Sequence, residues 1–201
     1  MQRITEVVKN LIGINVIMFI LFTWLMPKIG DQLILYYFSS PNFKPWQPLT
    51  SMFMHASINH IFFNMLGLFF FGIILEQVWG SAKFLRFYLY SGIGAFLFQW
   101  AFWYWQYQGT PELNQVAMLG ASGAVMGVLG GVAMLAPDMR VQLLFPPVEL
   151  KMKYLVLIYF LIDLYSGLAN QGGIANFAHI GGLFTGLLIA FIWKSRGHLH
   201  S

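Results

Sequence analysis

Serine, histidine and asparagine side chains interrupt otherwise apolar stretches, and their chemistry suits nucleophilic acyl transfer. Ser122 begins an apolar segment just after Gly120, and His179 lies about one turn inside another such segment. A serine hydroxyl attacks a carbonyl when a general base lies within hydrogen-bond reach, and His179 is the candidate base. His60 and Asn64 are four residues apart, which places them on one helical face. Together with the Ser122 N–H, they are candidate donors to the oxyanion of the reaction.

Each of these residues also has a plainer structural interpretation. A serine at a helix start commonly caps the helix or fills a small packing site. An isolated membrane histidine is commonly a structural hydrogen-bonding group, and Asn64 alone would join two helices. Asp163 is a candidate third triad member that orients a histidine, although a helix-end or backbone partner is its favoured role. The serine hydrolase elbow Gly-x-Ser-x-Gly is not matched, because Ala124 replaces its last glycine and no strand precedes Ser122.

The residue pattern gives little support for a metal site or a cofactor site. The candidate ligands are His55, His60 and His179, but no carboxylate lies within a turn of either membrane histidine. The spacing of His55 and His60 also places them on different faces of a helix. The chain contains no cysteine, which excludes disulfides and thiolate metal sites. We therefore expect neither a metal site nor a cofactor.

The composition places these residues in a membrane. The chain has 201 residues, of which 58% are hydrophobic and 9% charged, and its mean hydropathy is +0.67. Soluble domains carry about 25% charged residues, so we predict an all-α membrane protein with a single domain over residues 1–201. A spanning helix needs about 20 mostly apolar residues, and the candidates lie at about 8–26, 57–76, 84–106, 120–136, 152–168 and 175–194. The net charge of +4 does not indicate nucleic-acid binding, because the basic residues lie at the segment ends.

The lysine and arginine positions predict the orientation of the chain in its membrane. With the N-terminus inside, nine of the eleven lie on the cytoplasmic side, a strong positive-inside signal that supports an even number of spans. The nine are Arg3, Lys9, Lys83, Arg86, Arg140, Lys151, Lys153, Lys194 and Arg196, and the outer two are Lys28 and Lys44. We expect a bacterial inner-membrane protein with both termini in the cytoplasm. The long first outer loop, 27–56, contains several aromatic residues and is expected to associate with the membrane interface.

Three separated motifs resemble those of the rhomboid intramembrane serine proteases, over roughly residues 45–194. The motifs are His55 with His60-x-x-x-Asn64, then Gly120-Ala121-Ser122-Gly123, and then Ala178-His179-x-x-Gly182-x-x-x-Gly186. Gly72, Glu76 and Gly80 also fit the family pattern. In this order and spacing, the three motifs are highly specific.

The resemblance implies a bundle of six transmembrane helices with a catalytic dyad of Ser122 and His179 and no obligatory aspartate. It implies an oxyanion site formed by His60, Asn64 and the Ser122 backbone. It also implies cleavage of peptide bonds in or near transmembrane segments of other membrane proteins, without metal or ATP, with substrate access between the second and fifth helices. The glycines that would pack the serine helix against the histidine helix are Gly127, Gly130, Gly131, Gly182 and Gly186.

Two positions depart from the family pattern, and neither removes a catalytic group. Gln47 follows Trp46 where many members have arginine, and Met126 stands where many have an aromatic residue that stacks on the catalytic histidine. Among other functions, an inactive relative that binds membrane clients would usually have lost Ser122 or His179. A small transporter or channel would spread polar residues along a whole pathway. We therefore predict an active intramembrane protease whose partners are the lipid bilayer and transmembrane protein substrates.

Overall fold

The computed structural model describes residues 4–143, 147–169 and 175–197, and long helices make up most of this part of the chain. The long helices are α1 (Glu6–Leu25), α4 (Ile58–Trp79), α5 (Ser81–Tyr107), α6 (Ser122–Leu135), α7 (Met152–Leu168) and α8 (Asn176–Ser195). The short elements are α2 (Pro27–Gly30), α3 (Gln47–Thr50), β1 (Leu35–Tyr36), β2 (Ala117–Met118), β3 (Arg140–Gln142) and β4 (Glu149–Lys151). Each predicted apolar segment is therefore helical. Arg3, one of the predicted cytoplasmic residues, lies outside the described residues.

The apolar helices indicate an integral membrane protein. By length and composition, α1, α4 and α8 are long and apolar enough to cross a membrane. Helix α6 is apolar but has only 14 residues, which gives a length of about 21 Å. A π-helical turn ends α1 at Leu21–Leu25, and another interrupts α4 at Leu68–Gly72.

Helix α6 is the central helix of the bundle. All of its residues from 123 to 133 are buried, as expected for a helix that is apolar on every side. It packs against α8 and α5 most extensively, and also against α4 and α7. The core that surrounds it includes the buried aromatic side chains of Trp79, Phe84, Phe87 and Tyr88. The first residue of α6 is therefore held by a helix that its neighbours enclose.

Close contact between α6 and α8 depends on facing glycines. A Cβ atom added to Gly182 would overlap the backbone carbonyl oxygen of Gly123, and one added to Gly186 would overlap that of Gly127. Small residues four apart on each helix let two backbones approach in this way. Gly127, Gly182 and Gly186 lie where the two helices approach each other, as their predicted packing role requires. Gly123 has the same role, which the sequence analysis did not assign.

The other two predicted packing glycines, Gly130 and Gly131, face different helices from each other. A Cβ atom at Gly130 would lie 2.9 Å from the carbonyl oxygen of Leu183 in α8, as expected. At Gly131 it would instead meet the side-chain ends of Leu75 and Phe87, at 2.8 and 2.9 Å. The prediction that Gly131 packs on the histidine helix is wrong, because adjacent residues are about 100° apart around a helix. Gly131 accordingly faces α4 and α5.

The segments that precede α4 and α6 join at the end of the bundle where α6 begins, which we call the β1–β2 end. Strand β1 pairs antiparallel with β2, with Leu35 opposite Met118. The N–H of Gly120 donates to the Ser51 carbonyl at 2.9 Å. These hydrogen bonds fix the chain just before Ser122 against the first outer loop.

The side chain of Gln47 joins three parts of the 27–56 segment by hydrogen bonds. Its side chain is fully buried. Its Oε1 accepts the N–H of Tyr36 at 3.3 Å, and its Nε2 donates to the carbonyls of Gln32 and Asn42 at 3.3 and 2.9 Å. The glutamine that replaces the arginine of the family pattern therefore makes three hydrogen bonds within the loop.

The opposite end of the bundle carries most of the basic residues, and we call it the basic end. The Glu76 carboxylate of α4 accepts the N–H groups of Val7 and Val8, both at 2.9 Å. These are among the first amides of α1, where an anion is stabilising. The Lys194 ammonium at the end of α8 donates to the Met134 carbonyl near the end of α6, at 3.2 Å. The rings of Trp79 in α4 and Trp193 in α8 pack with their centroids 5.1 Å apart, so the start of α1 lies at the same end of the bundle as the ends of α4, α6 and α8.

Candidate active site

Ser122 and His179 meet at the β1–β2 end of the bundle. The Ser122 Oγ and the His179 Nε2 are 2.8 Å apart, although the residues are 57 positions apart in the chain. Ser122 is the first residue of α6, and His179 lies in the first turn of α8. Ala121 occupies the N-cap position of α6, so the interpretation of Ser122 as a helix cap is wrong. The candidate nucleophile and base are in hydrogen-bond contact.

The other ring nitrogen of His179 faces a buried carboxylate. The His179 Nδ1 lies 3.0 Å from the Asp163 Oδ1, and the side chains are 19% and 9% exposed. The same oxygen accepts a hydrogen bond from the Asn176 Nδ2 at 2.9 Å. The sequence favoured a helix-end or backbone partner for Asp163, and that interpretation is wrong, because the rotation of α7 directs this side chain towards α8.

This pair of contacts suits a histidine that acts as a base. When Nδ1 is protonated, it donates to the Asp163 carboxylate, and Nε2 is left to accept the proton of the Ser122 hydroxyl. A carboxylate beside the ring also stabilises the positive charge that His179 gains when it takes that proton.

Gln99 positions the start of α8. Its side chain is buried in α5, and its Oε1 accepts the N–H of Ala178 at 3.0 Å. This N–H belongs to the first turn of α8 and also donates to the Ala175 carbonyl, just before the helix, at 2.9 Å. The sequence analysis did not identify Gln99. The signal that would have found it is an amide side chain inside a predicted membrane segment.

His60 lies beside the turn that leads into Ser122. Gly120 has φ of +129°, a conformation that side chains other than glycine rarely adopt. A Cβ atom at Gly120 would lie 2.8 Å from both Cε1 and Nε2 of His60, and 3.4 Å from the Ser122 Oγ. The imidazole of His60 and the hydroxyl of Ser122 therefore border the same small space next to Gly120.

Asn64 lies one turn below His60 on α4 and is buried. Its Nδ2 donates to the His60 carbonyl of the same helix at 3.0 Å. An amide nitrogen has two hydrogens, so this bond leaves one of them for a further acceptor. The structure thus brings His60 next to Ser122 and places Asn64 directly behind His60 on the same helical face.

His55 supports the ring of His60. The two rings pack edge to face, with their centroids 5.0 Å apart. Burial and, to a lesser extent, the nearby His60 lower the pKa of His55 to about 3, so the ring is neutral at pH 7. The expectation that the two histidines lie on different faces of one helix is wrong, because α4 begins at Ile58 and His55 precedes it.

A small cavity adjoins the serine. It has a volume of about 10 Å³, and its lining includes Ser51, Met118, Gly120, Ser122 and Ala178. This is about the space that one water molecule requires. The cavity connects the serine side chain with the segment that carries β2.

Comparison with known proteins assigns the chain to a family. The Rhomboid domain matches residues 42–196, which include helices α4 to α8 and all four of the predicted site residues. The chain belongs to the rhomboid family. Among its rhomboid relatives, the chain is 33% identical over 161 residues to the Rhomboid protease AarA of Providencia stuartii. This alignment covers 74% of the present chain and 56% of that relative.

Two further rhomboid relatives show the range of similarity. The Rhomboid protease GlpG of Serratia proteamaculans is 29% identical over 184 residues, which cover 88% of this chain and 60% of that protein. The RHOMBOID-like protein 6, mitochondrial, of Arabidopsis thaliana is 37% identical over 147 residues, which cover 73% of this chain and 43% of that protein. This rhomboid chain thus spans about half the length of the curated relatives that it matches.

Proposed function

We propose that this rhomboid chain is an intramembrane serine endopeptidase that cleaves peptide bonds in or near the transmembrane segments of other membrane proteins. The observation that carries the proposal is the 2.8 Å contact between the Ser122 Oγ and the His179 Nε2. This contact joins two helices of an apolar bundle and has the geometry of an activated nucleophile. Both residues are present and in contact, which favours an active enzyme over an inactive relative that binds clients.

In the proposed reaction, the Ser122 Oγ attacks the carbonyl carbon of the substrate while its proton moves to the His179 Nε2. The oxyanion that forms accepts hydrogen bonds from the Ser122 N–H, at the start of α6, and from the side chains of His60 and Asn64. His179 then gives its proton to the leaving amine, and a seryl ester remains. A water molecule that His179 deprotonates attacks this ester and releases Ser122.

The proposal places six spanning helices, α1 and α4 to α8, in the bilayer, with the first outer loop at its surface. A transmembrane substrate then reaches Ser122 laterally, between α4 and α7. Within the described residues, α7 packs on α8 and α6 and makes at most marginal contact with α4. Phe62 and Phe63 of α4 are 54% and 66% exposed, and such apolar side chains suit contact with lipid or with a substrate helix.

The test is cleavage of a transmembrane substrate by the purified protein in liposomes. We expect wild-type protein to cleave, and Ser122→Ala, His179→Ala and the double variant to be equally inactive, with losses of about 10⁶-fold, as measured for a serine protease. Ser195→Ala is the matched control, because Ser195 lies at the basic end, where its hydroxyl donates to the Ile192 carbonyl. It should cleave at the wild-type rate.

Variants of the oxyanion donors separate the roles within the site. Loss of one donor typically costs about 10²- to 10³-fold in rate. We expect Asn64→Ala to keep measurable cleavage and His60→Ala to fall between it and Ser122→Ala. Substantial cleavage by Ser122→Ala would contradict the proposal. If His60→Ala were fully inactive while His179→Ala cleaved, His60 would be the base and His179 the oxyanion donor.

A further inference from the structure

We infer that Asp163 completes a Ser122–His179–Asp163 triad in this protein, as a positioning residue that orients His179 and stabilises its protonated form. The inference rests on the proposed function and extends it, because the family resemblance implies a dyad without an obligatory aspartate.

The geometry around the Asp163 carboxylate supports this role. Its Oδ1 lies 3.0 Å from the His179 Nδ1 and 2.9 Å from the Asn176 Nδ2. Both nitrogens approach the same oxygen, so a single acceptor atom fixes the orientation of the imidazole. The three residues come from α7 and from the first turn of α8, which means that helix packing holds the arrangement.

The cost of burying the carboxylate also argues for a function. Asp163 lies within an apolar helix, and only 9% of its side chain is exposed. An ionisable side chain in a membrane helix costs several kcal/mol and is typical of functional sites. Among the described residues, the one ion pair of Asp163 is with His179, which carries charge only when protonated. The carboxylate therefore gains a full partner when His179 accepts the Ser122 proton.

Polar and ionisable side chains from three other helices surround the His179 ring and affect its charge. Ser122 contacts Nε2 from α6, and Asp163 contacts Nδ1 from α7. From α4, His60 interacts electrostatically with His179, with His55 behind it, and both are unfavourable to a charged imidazole when protonated. Asp163 is thus the anionic group among those that face the ring.

Asp163→Asn separates charge from orientation. The Asn176 amide donates to the Oδ1 position, which favours the rotamer of the new amide that keeps its oxygen towards Asn176 and the His179 Nδ1–H. The ring orientation is then retained and the negative charge is lost. The labelling rate of this variant therefore measures the effect of the negative charge while the hydrogen bond to the ring is retained.

The experiment measures the rate at which a fluorophosphonate probe labels Ser122 as a function of pH, in detergent and without a substrate. For Asp163→Asn we expect labelling about 10- to 100-fold slower at neutral pH and a changed dependence of the rate on pH, because the negative charge beside the base is lost. Asp163→Leu, which also loses the hydrogen bond, should be slower still. Asp138→Asn, at an exposed carboxylate near β3, is the matched control and should keep the wild-type profile.

The possible outcomes distinguish failure of the proposed function from failure of the triad. If wild-type protein is not labelled at Ser122, the proposed function itself fails. If wild-type protein is labelled and Asp163→Asn has the same rate and profile, the function stands and the triad is overturned. A loss of rate that is the same at every pH would show a purely structural role and would also overturn it.

A second measurement needs no variant at Asp163 and applies even if Asp163→Asn fails to fold. With ¹⁵N-labelled histidine, a His179 Nδ1–H that donates to a carboxylate gives a proton signal at low field, assigned by its loss in His179→Gln. We expect this signal to persist from about pH 5 to about pH 9, because both protonation states of the base keep Nδ1 protonated. A neutral His179 that carries its proton on Nε2 would contradict the triad.

Discussion

Gly120 is the residue on which the relative positions of Ser122 and His60 depend most directly. Its φ of +129° and the nearby imidazole of His60 each disfavour a side chain. We predict that Gly120→Ala slows probe labelling of Ser122 by about 10²-fold or more, since the added methyl group must displace His60 or the turn. The measurement is the labelling rate of folded protein in detergent.

Gly109 provides the matched control for this prediction. It also has a positive φ, +79°, but a Cβ atom there meets nothing within 4 Å. Gly109→Ala therefore introduces similar backbone strain without a contact at the site and should keep labelling near the wild-type rate. Equal losses in the two variants would show that strain, and not the position of His60, limits the activity.

The residue types were sufficient to find the centre of this candidate site, but not all of it. Ser122 and His179 were identifiable because polar groups are costly in apolar segments. The contact of Asp163 with His179 was not predicted, because it depends on the rotation of α7 about its axis, which hydropathy does not determine. The hydrogen bonds of Gln99 and Gln47 were likewise not predicted, because the backbone groups that each amide reaches depend on how the segments pack.

At the scale of elements, the packing of α6 on α8 brings the candidate nucleophile to its base. We predict that Gly182→Ala lowers the midpoint of thermal unfolding by about 3 to 10 °C and slows labelling of Ser122, because the methyl group overlaps the Gly123 carbonyl. Gly131→Ala should have a smaller effect on labelling, since it meets the ends of side chains that can rotate.

Gly13 in α1 is the control for the general effect of adding a methyl group to a helix. A Cβ atom there meets nothing within 4 Å, and alanine favours a helix more than glycine does. Gly13→Ala should leave labelling unchanged and keep or slightly raise the unfolding midpoint. If Gly182→Ala behaved like Gly13→Ala, the close approach of α6 and α8 would not be needed for the site.

The helices were more predictable than their connections. The bounds of each predicted apolar segment agree with a helix to within three residues at either end, because long apolar runs in a membrane protein must satisfy their backbone hydrogen bonds internally. The pairing of β1 with β2 joins segments about 80 residues apart. Two-residue strands leave no periodic pattern, so no local signal predicted this pairing.

At the scale of the whole molecule, most of the basic residues and the candidate site lie at opposite ends of the bundle. Lys194 lies at the basic end near Met134, and Lys151 and Lys153 pair with Asp138 close to β3 and β4. Hydrogen bonds from these two lysines hold the pKa of the exposed Asp138 carboxyl below its ordinary value. This separation supports the proposed orientation, with the basic end in the cytoplasm and Ser122 near the outer leaflet.

Reporter fusions test this orientation. We predict that a reporter active only in the periplasm gives no signal when fused after Ser201 and a clear signal when inserted near Pro111, in the connection between α5 and α6. A reporter active only in the cytoplasm should give the reverse pattern and serves as the control. A periplasmic signal after Ser201 would place the serine on the cytoplasmic side and overturn the orientation.

The measurement that tests the central claim most directly is the site and histidine dependence of covalent labelling by a fluorophosphonate probe. The account predicts one adduct per chain, located on Ser122 by mass analysis of peptides, and no adduct in the folded His179→Ala variant, because the hydroxyl then has no base. An adduct confined to another serine, or labelling of Ser122 at the wild-type rate in His179→Ala, would contradict the assignment of Ser122 and His179 as nucleophile and base.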